Sequence, residues 1–268
     1  MAWSVTQHDV GAANTSSTAY TSGAFTPGAD RLLIVISYIV TAVTITGITG
    51  HDGGGSWVQL FSQEGVANAA ADVEIWGCFT GSSPSSGSVV ISKSGYTESF
   101  SANIIEFHED VVGVDMSGTV ANAIGVNGFD VGGYDVSPHQ VVLGAFSDSD
   151  NLTLGVGFAQ GIAANFTFSG YTALAMNENG FSILALYLAS EDQTVDATTD
   201  SEKIAGIFAC EVKMASGSPA TRRIMTISNL FNFWPLMFLA GPIKNVSLKR
   251  RDFFKPWKWL VLFLTGIN

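Results

Sequence analysis

Short apolar runs alternate with clusters of Gly, Ser, Asn and Asp along the first 215 residues, and no stretch there keeps a helical period. Arg31–Thr41 is nearly continuous and rich in β-branched residues, which is typical of a central strand covered on both faces. Val43–Thr46 alternates strictly between apolar and polar residues, as a half-buried strand does. The same pattern predicts further strands at Ser56–Ser62, Asp72–Thr80, Ser88–Ser92, Ser99–His108, Gln140–Phe146, Phe166–Ser169, Phe181–Leu188 and Ile204–Lys213.

Clusters of turn-forming residues separate these runs, for example at Gly53–Gly55, Gly81–Pro84 and Asn177–Gly180. Many short strands with no helices between them are typical of a β-sandwich or a barrel. We therefore predict an all-β fold for residues 1–215, and their length is compatible with one large antiparallel β-sandwich. No internal repeat is evident in the sequence of this body.

Several segments of the body follow one another in an order that occurs in a known family. They are Arg31–Tyr38, Val43–Gly50, Gly54–Trp57, Val73–Trp76, a turn at Ser83–Gly87 that leads into Val89–Ser92, then Ile104–His108, Val141–Gly144 and Ile204–Val212. In these segments the chain resembles a β-sandwich family found in bacteriophage virion proteins and in some large bacterial surface proteins. The resemblance covers roughly residues 1–215, and it implies a jelly-roll-like fold and a structural role in a virion.

The charge of the chain is divided unevenly between the body and the C-terminal end. Residues 1–219 contain four basic residues against 22 acidic ones, a net charge of −18, whereas residues 220–268 contain eight against one, a net charge of +7. Ser216–Pro219 has the composition of a linker, so we predict a linker at 216–219 and a basic C-terminal arm at 220–268. The net charge of −11 for the whole chain argues against a nucleic-acid-binding protein.

The arm is rich in aromatic side chains. Fully burying one large apolar side chain stabilises a protein by about 1.5–3 kcal/mol, so we expect these side chains to be buried against a surface. Aromatic anchors supply much of the energy of protein interfaces, and opposite charges speed and orient association. We predict that the arm docks on another virion protein or a copy of this chain, with its own body as the alternative. The predicted partner-binding residues are Phe231, Phe233, Trp234, Phe238, Lys249, Arg250, Arg251, Phe253, Phe254, Trp257 and Trp259.

Two apolar segments of the arm, Ile227–Ile243 and Trp257–Ile267, bear on membrane attachment. Neither reaches the roughly 20 unbroken apolar residues that a spanning helix needs, and Pro235 and Pro242 interrupt the first. We therefore predict no transmembrane anchor. An interfacial membrane segment, in which Trp beside Lys is common, and an extension without a selected role remain as alternatives.

The sequence contains no motif of a hydrolase nucleophile, a phosphate-binding loop or a zinc site, so we predict a non-enzymatic protein without a cofactor or metal. His51–Ser56 brings a His, an Asp and a Ser together, but a Gly-rich turn explains them better than a catalytic triad. Asp148–Asn151 lacks a complete calcium loop and is interpreted as a solvated turn. Cys78 and Cys210 are expected to be buried free thiols.

These observations favour a non-enzymatic structural protein of a bacteriophage virion, as a head decoration, fibre or tail component, whose arm mediates attachment or oligomerisation. The first residues have neither a basic nor an apolar segment typical of a signal peptide, so we expect synthesis in the host cytoplasm and location in the virion. The alternative is a receptor- or glycan-binding sandwich. Its partner would be a surface glycan, which Trp57, Trp76 and Tyr96 could contact.

Overall fold

A computed structural model describes residues 3–12, 17–40, 42–52, 56–65, 71–95, 100–109, 123–131, 138–160, 166–175, 177–179, 181–199 and 205–213. The predicted linker at 216–219 and the predicted arm at 220–268 lie outside these residues. The paired strands between residues 3 and 213 are all antiparallel.

The strands of the N-terminal half form two sheets. In large sheet 1 the order is β1-β8-β3-β6-β5, and in small sheet 1 it is β2-β7-β4. We call these two sheets together the first sandwich. The strands are β1 (Trp3–Ala12), β2 (Ala19–Thr21), β3 (Leu32–Val40), β4 (Ile45–Thr49), β5 (Val58–Gly65), β6 (Ala71–Phe79), β7 (Val90–Lys93) and β8 (Phe100–Glu109).

The strands of the C-terminal half form a second pair of sheets. Large sheet 2 has the order β13-β15-β11-β17-β9, with β14 also paired to β15, and small sheet 2 has the order β10-β16-β12. We call this pair the second sandwich. The strands are β9 (Ile124–Val131), β10 (His139–Val142), β11 (Leu152–Gln160), β12 (Phe166–Phe168), β13 (Thr172–Ala173), β14 (Asn177–Asn179), β15 (Phe181–Leu188), β16 (Thr194–Thr199) and β17 (Ala205–Val212).

The two sandwiches repeat one strand order. In each, the first strand pairs with the last, the last with the third, and the third with the strand that leads towards the small sheet, which is the order of a jelly roll. The register repeats as well: Leu33 lies opposite Glu106 in the first sandwich, and Thr153 lies opposite Glu211 in the second. The body is therefore a tandem repeat of one jelly-roll-like unit, although its sequence shows no repeat.

Three hydrophobic cores hold the four sheets in a stack, because both faces of each large sheet are covered. One face of β3 enters the central core between the large sheets, and the other face packs against small sheet 1. The opposite face of large sheet 2 packs against small sheet 2. The central core contains, from β3 and β11, the side chains of Leu32, Ile34, Ile36, Tyr38, Leu152, Leu154, Val156 and Phe158.

The structure confirms the predicted all-β antiparallel sandwich fold, and Arg31–Thr41 contains the central strand that its continuous apolar run predicted. The predicted body contains two stacked sandwiches, which the sequence pattern did not indicate. The predicted turn Asn177–Gly180 contains the short strand β14, which pairs with β15 through Asn179 opposite Phe181. Short polar strands of this kind have no apolar alternation and so give no signal.

Two glycines of β11 set the spacing inside the second sandwich. A Cβ atom at Gly157 would lie 2.4 Å from the ring of Phe166, and one at Gly155 would lie 2.9 Å from the ring of Phe168. Both rings belong to β12 in small sheet 2. The aromatic rings of the small sheet therefore rest directly on the backbone of the large sheet.

Candidate functional site

The sequence-predicted partner site is the arm, and all of its proposed residues lie outside the described residues. They are Phe231, Phe233, Trp234, Phe238, Lys249, Arg250, Arg251, Phe253, Phe254, Trp257 and Trp259.

Two of the three aromatic residues considered for a glycan surface, Trp57 and Trp76, lie among the described residues, and both make internal contacts. Trp57 is buried in the core of the first sandwich, and its indole Nε1 donates a hydrogen bond to the carbonyl of Gly50 at 2.8 Å. Trp76 packs against the same core, and its Nε1 donates to the carboxylate of Glu74 at 2.8 Å. Tyr96 lies outside the described residues. Trp57 thus supports the fold and offers no ring face to a sugar.

The acidic loop before β11 is a turn, as expected. The amide of Asp150 donates a hydrogen bond to the carboxylate of Asp148 at 3.0 Å, and the amide of Asn151 donates to the Asp148 carbonyl at 3.0 Å. This pattern is an Asx turn. Among the described residues, no group of three or more His, Cys, Asp or Glu side chains has the arrangement of a metal site.

The loop before β11 is fastened to the sheet by a buried carboxylate, Glu211, which is 1% exposed. It accepts hydrogen bonds from the amide of Ser147 at 2.8 Å, from Nδ2 of Asn151 at 2.6 Å and from the amide of Val126 at 3.2 Å. Burial alone would raise the pKa of Glu211, but these hydrogen bonds more than offset that effect, so its pKa lies below the ordinary value.

Glu106 has the equivalent position in the first sandwich and fastens the loop before β3. Its carboxylate lies 2.7 Å from Nε2 of His8, 3.3 Å from the amide of Gly28 and 3.7 Å from Nε of Arg31. Burial raises the pKa of Glu106, and the contacts with His8, Gly28 and Arg31 lower it by more, so that the pKa lies below the ordinary value.

Sequence reasoning missed both carboxylates, although each is an isolated acid inside an apolar strand. Glu106 stands between Ile105 and Phe107, and Glu211 stands between Cys210 and Val212. A lone acid in such a run is buried at a cost unless polar partners surround it, which makes it a detectable signal. Each network joins a loop to a sheet. Ser147 and Asn151 of the loop and Val126 of β9 contact Glu211. Gly28 of the loop and His8 of β1 contact Glu106.

The basic residues of the described body are largely withdrawn from its surface. Lys93 is only 4% exposed, and its Nζ lies 4.9 Å from the ring centroid of Phe100. Burial lowers the pKa of Lys93. The side chain of Arg31 is 26% exposed and lies against Glu106. By contrast, exposed carboxylates of the described body include those of Glu64, Asp150 and Asp196.

The two cysteines are buried free thiols, in agreement with expectation. Cys78 lies in the core of the first sandwich, whereas Cys210 lies in the central core. Burial raises the pKa of both thiols above the ordinary value. Both therefore stay protonated at neutral pH and are poor nucleophiles.

A cleft of about 450 Å³ opens between the β4–β5 loop and the β6–β7 loop of the first sandwich. It is lined by residues 50–52, 81–85 and 87–88. His51 has a left-handed backbone with φ of 57°. Its ring centroid lies 4.4 Å from that of Phe25, which in turn stacks on His8 at 4.1 Å. The described part of the predicted His51–Ser56 turn thus contributes to a polar cleft.

No protein-family model, curated protein or solved structure matches the chain. Among the residues that the structure describes, none belongs to a helix long and apolar enough to cross a membrane.

Proposed function

We propose that this chain is a non-enzymatic structural protein of a bacteriophage virion, in which the two stacked sandwiches form an exposed body and residues 220–268 attach that body to a neighbouring subunit. The neighbour is another virion protein or a second copy of this chain. The resemblance of residues 1–215 to sandwich proteins of virions supports the role in a particle.

The observation that carries the attachment is the separation of charge. The described body buries Lys93 and holds Arg31 against Glu106, so carboxylates dominate the charge that it exposes. The arm, at 220–268, carries a net charge of +7. Opposite charges on two surfaces accelerate encounter and orient the partners, while aromatic anchors supply most of the affinity.

The hydrophobic cores that the structure describes lie within the body. Their described members lie between Trp3 and Val212. Removal of residues 220–268 is therefore expected to leave a soluble β-rich protein. This makes attachment and folding separable in an experiment.

The test is to purify virions of the phage that encodes the chain and to detect the protein in them by mass spectrometry and co-sedimentation. We expect the full chain to sediment with the particles and the truncated chain, residues 1–219, to remain in the supernatant with an unchanged circular dichroism spectrum in the β region. Absence of the full chain from purified virions would contradict the role in a particle.

Charge-reversed variants separate the electrostatic contribution to incorporation into virions from other contributions. The triple variant Lys249→Glu, Arg250→Glu and Arg251→Glu is expected to slow incorporation at least tenfold, with a smaller effect at high salt. Lys213→Glu, which changes one charge in the body, is the matched control and is expected to leave incorporation unchanged. Equal incorporation of the triple variant would remove the electrostatic part of the proposal.

A further inference from the structure

The cleft of the first sandwich differs from the equivalent place in the second, and the repeat makes the comparison direct. Gly50 follows β4 with φ of 99°, and Gly170 follows β12 with φ of 84°. The next residues are His51 and Tyr171. His51 borders the cleft, so Tyr171 marks the corresponding place in the second sandwich.

In the second sandwich, the side chain of Tyr171 occupies the position that corresponds to the cleft. Its ring approaches to 3.4 Å from the position that a Cβ atom of Gly155 would take, and its hydroxyl donates a hydrogen bond to Asp192 at 3.1 Å. Asp192 lies in the β15–β16 loop, which corresponds to the β6–β7 loop of the cleft. Tyr171 therefore ties these two loops together through Asp192. In the first sandwich the corresponding loops meet at one end of the cleft, where the backbone of Gly50 approaches the carbonyl of Ser88 and the ring of His51 approaches Gly87.

The first sandwich lacks the space for such a closure. Val35 lies opposite Trp76 just as Gly155 lies opposite Leu186, so a buried valine stands where the second sandwich has a glycine. The β6–β7 loop, residues 80–89, is also longer than the β15–β16 loop, residues 189–193. The open cleft is therefore a feature of this copy and does not follow from the shared fold.

The lining of the cleft defines the chemistry of its ligand. Asp52 supplies a carboxylate, Ser82, Ser83 and Ser88 supply hydroxyl groups, and the lining residues that the structure describes include no Lys or Arg. Hydroxyls both donate and accept hydrogen bonds, and a carboxylate accepts two or more. An anionic ligand would meet repulsion from Asp52, and an apolar ligand would leave these groups unpaired.

From this comparison we infer that the cleft between the β4–β5 and β6–β7 loops binds a neutral saccharide, with Asp52 and the serine hydroxyls as hydrogen-bond partners of the sugar hydroxyls. A volume of about 450 Å³ lies within the range of small-ligand sites and accommodates one or two sugar rings. The inference is independent of the arm and of the proposed attachment to a virion.

The test is to screen the full chain on an array of immobilised neutral and sialylated oligosaccharides, and to follow the best neutral disaccharide by saturation-transfer difference NMR and calorimetry. We expect binding to neutral oligosaccharides with millimolar to micromolar affinity. Failure of every neutral oligosaccharide to bind at millimolar concentration would overturn the inference, and so would a preference for the sialylated ones.

Matched variants in the two sandwiches locate the site. Asp52→Ala removes the carboxylate, and Ser83→Trp places an indole across the cleft; each is expected to weaken binding at least tenfold. Thr172→Ala and Gln193→Trp make the corresponding changes at exposed positions of the second sandwich and are expected to keep full affinity. Loss in the second pair but not in the first would place the saccharide elsewhere and overturn the assignment. Thermal melting of all four checks that each one is folded.

Discussion

At the scale of single residues, two carboxylates, one buried and one half-buried, have the same role in the two halves of the body. Glu211 and Glu106 each lie on the last strand of a sandwich and accept hydrogen bonds from the loop that precedes the central strand. In both cases the charged form is favoured by contacts from the loop and from the first strand of the sandwich, which supplies His8 to Glu106 and Val126 to Glu211. The loop that begins the central strand therefore depends on an ionised glutamate, and its anchorage depends on pH.

Acid is expected to weaken the body through these two groups. Both pKa values are lower in the folded protein than in the unfolded chain, so their contribution to stability is complete above the ordinary glutamate pKa of 4.5 and is lost as the pH falls below it. Glu211→Gln is expected to lower the free energy of unfolding at pH 7 by about 2–3 kcal/mol, because donors lose an ionised acceptor.

Urea denaturation of the variant and the parent protein between pH 7 and pH 3 measures both effects. The free energy of unfolding of the variant should fall less steeply with acid than that of the parent. Glu64→Gln, at an exposed position of β5, is the control and should follow the parent. A variant that loses stability with acid as steeply as the parent would rule out Glu211 as a source of the pH dependence.

At the scale of elements, the two central strands show why some strands could be predicted and others could not. β3 is a continuous apolar run, and its period and composition predict a buried strand directly. β11 has the same place in the second sandwich, but Gly155 and Gly157 interrupt its apolar pattern. Glycine disfavours strands in isolation, whereas here it provides room for the rings of Phe166 and Phe168. That requirement arises only from tertiary packing.

Gly157→Ala tests the close approach of the two sheets. The added methyl group would lie 2.4 Å from the ring of Phe166, so the ring must move, and we expect a loss of about 1–3 kcal/mol in the free energy of unfolding. Gly47→Ala in β4 is the control, because nothing lies within 4 Å of its added Cβ. Adding Phe166→Leu to Gly157→Ala should cost less than the sum of the two single changes. Strict additivity would contradict the contact.

At the scale of the whole molecule, the body is two copies of one unit joined by their large sheets. The central core contains apolar side chains from both copies, and polar contacts reinforce it: Gln7 of β1 exchanges two hydrogen bonds with the backbone of Ala175 at 3.0 and 2.7 Å. Trp3 also donates a hydrogen bond to the carbonyl of Asp150 at 3.0 Å. Such a junction is expected to persist without a covalent connection between the copies.

Cutting the chain between β8 and β9 tests this junction. A specific protease site inserted after Gly113 should be cleaved without separating the halves, because the central core buries apolar surface from each. Size-exclusion chromatography of the cleaved protein should show both fragments in one peak at the volume of the intact body. Separate elution of the fragments in native buffer would show that the two sandwiches are independent domains.

The sequence predicts the class of fold but does not predict that the body contains two copies of the sandwich, for a physical reason. The alternation of apolar residues reports that a strand is covered, yet Leu33 and its counterpart Thr153 show that equivalent covered positions need not share a residue type. The sequence does not predict the cleft either, because the His51–Ser56 segment predicts a turn whether or not the neighbouring loops close over it. The residues that line it come from two loops that are distant in sequence, at 50–52 and at 81–88.

The scarcity of Lys and Arg in the body has a consequence for proteolysis. Trypsin-like enzymes cut after Lys and Arg in segments that can unfold locally. Before residue 214 the chain offers them Arg31 beside its glutamate, Lys93 inside a core, Lys203 and Lys213, whereas eight such residues follow Pro219. A digestive enzyme of this specificity would therefore find most of its targets in residues 220–268, and a neighbouring subunit bound to that segment, as proposed above, would shield them.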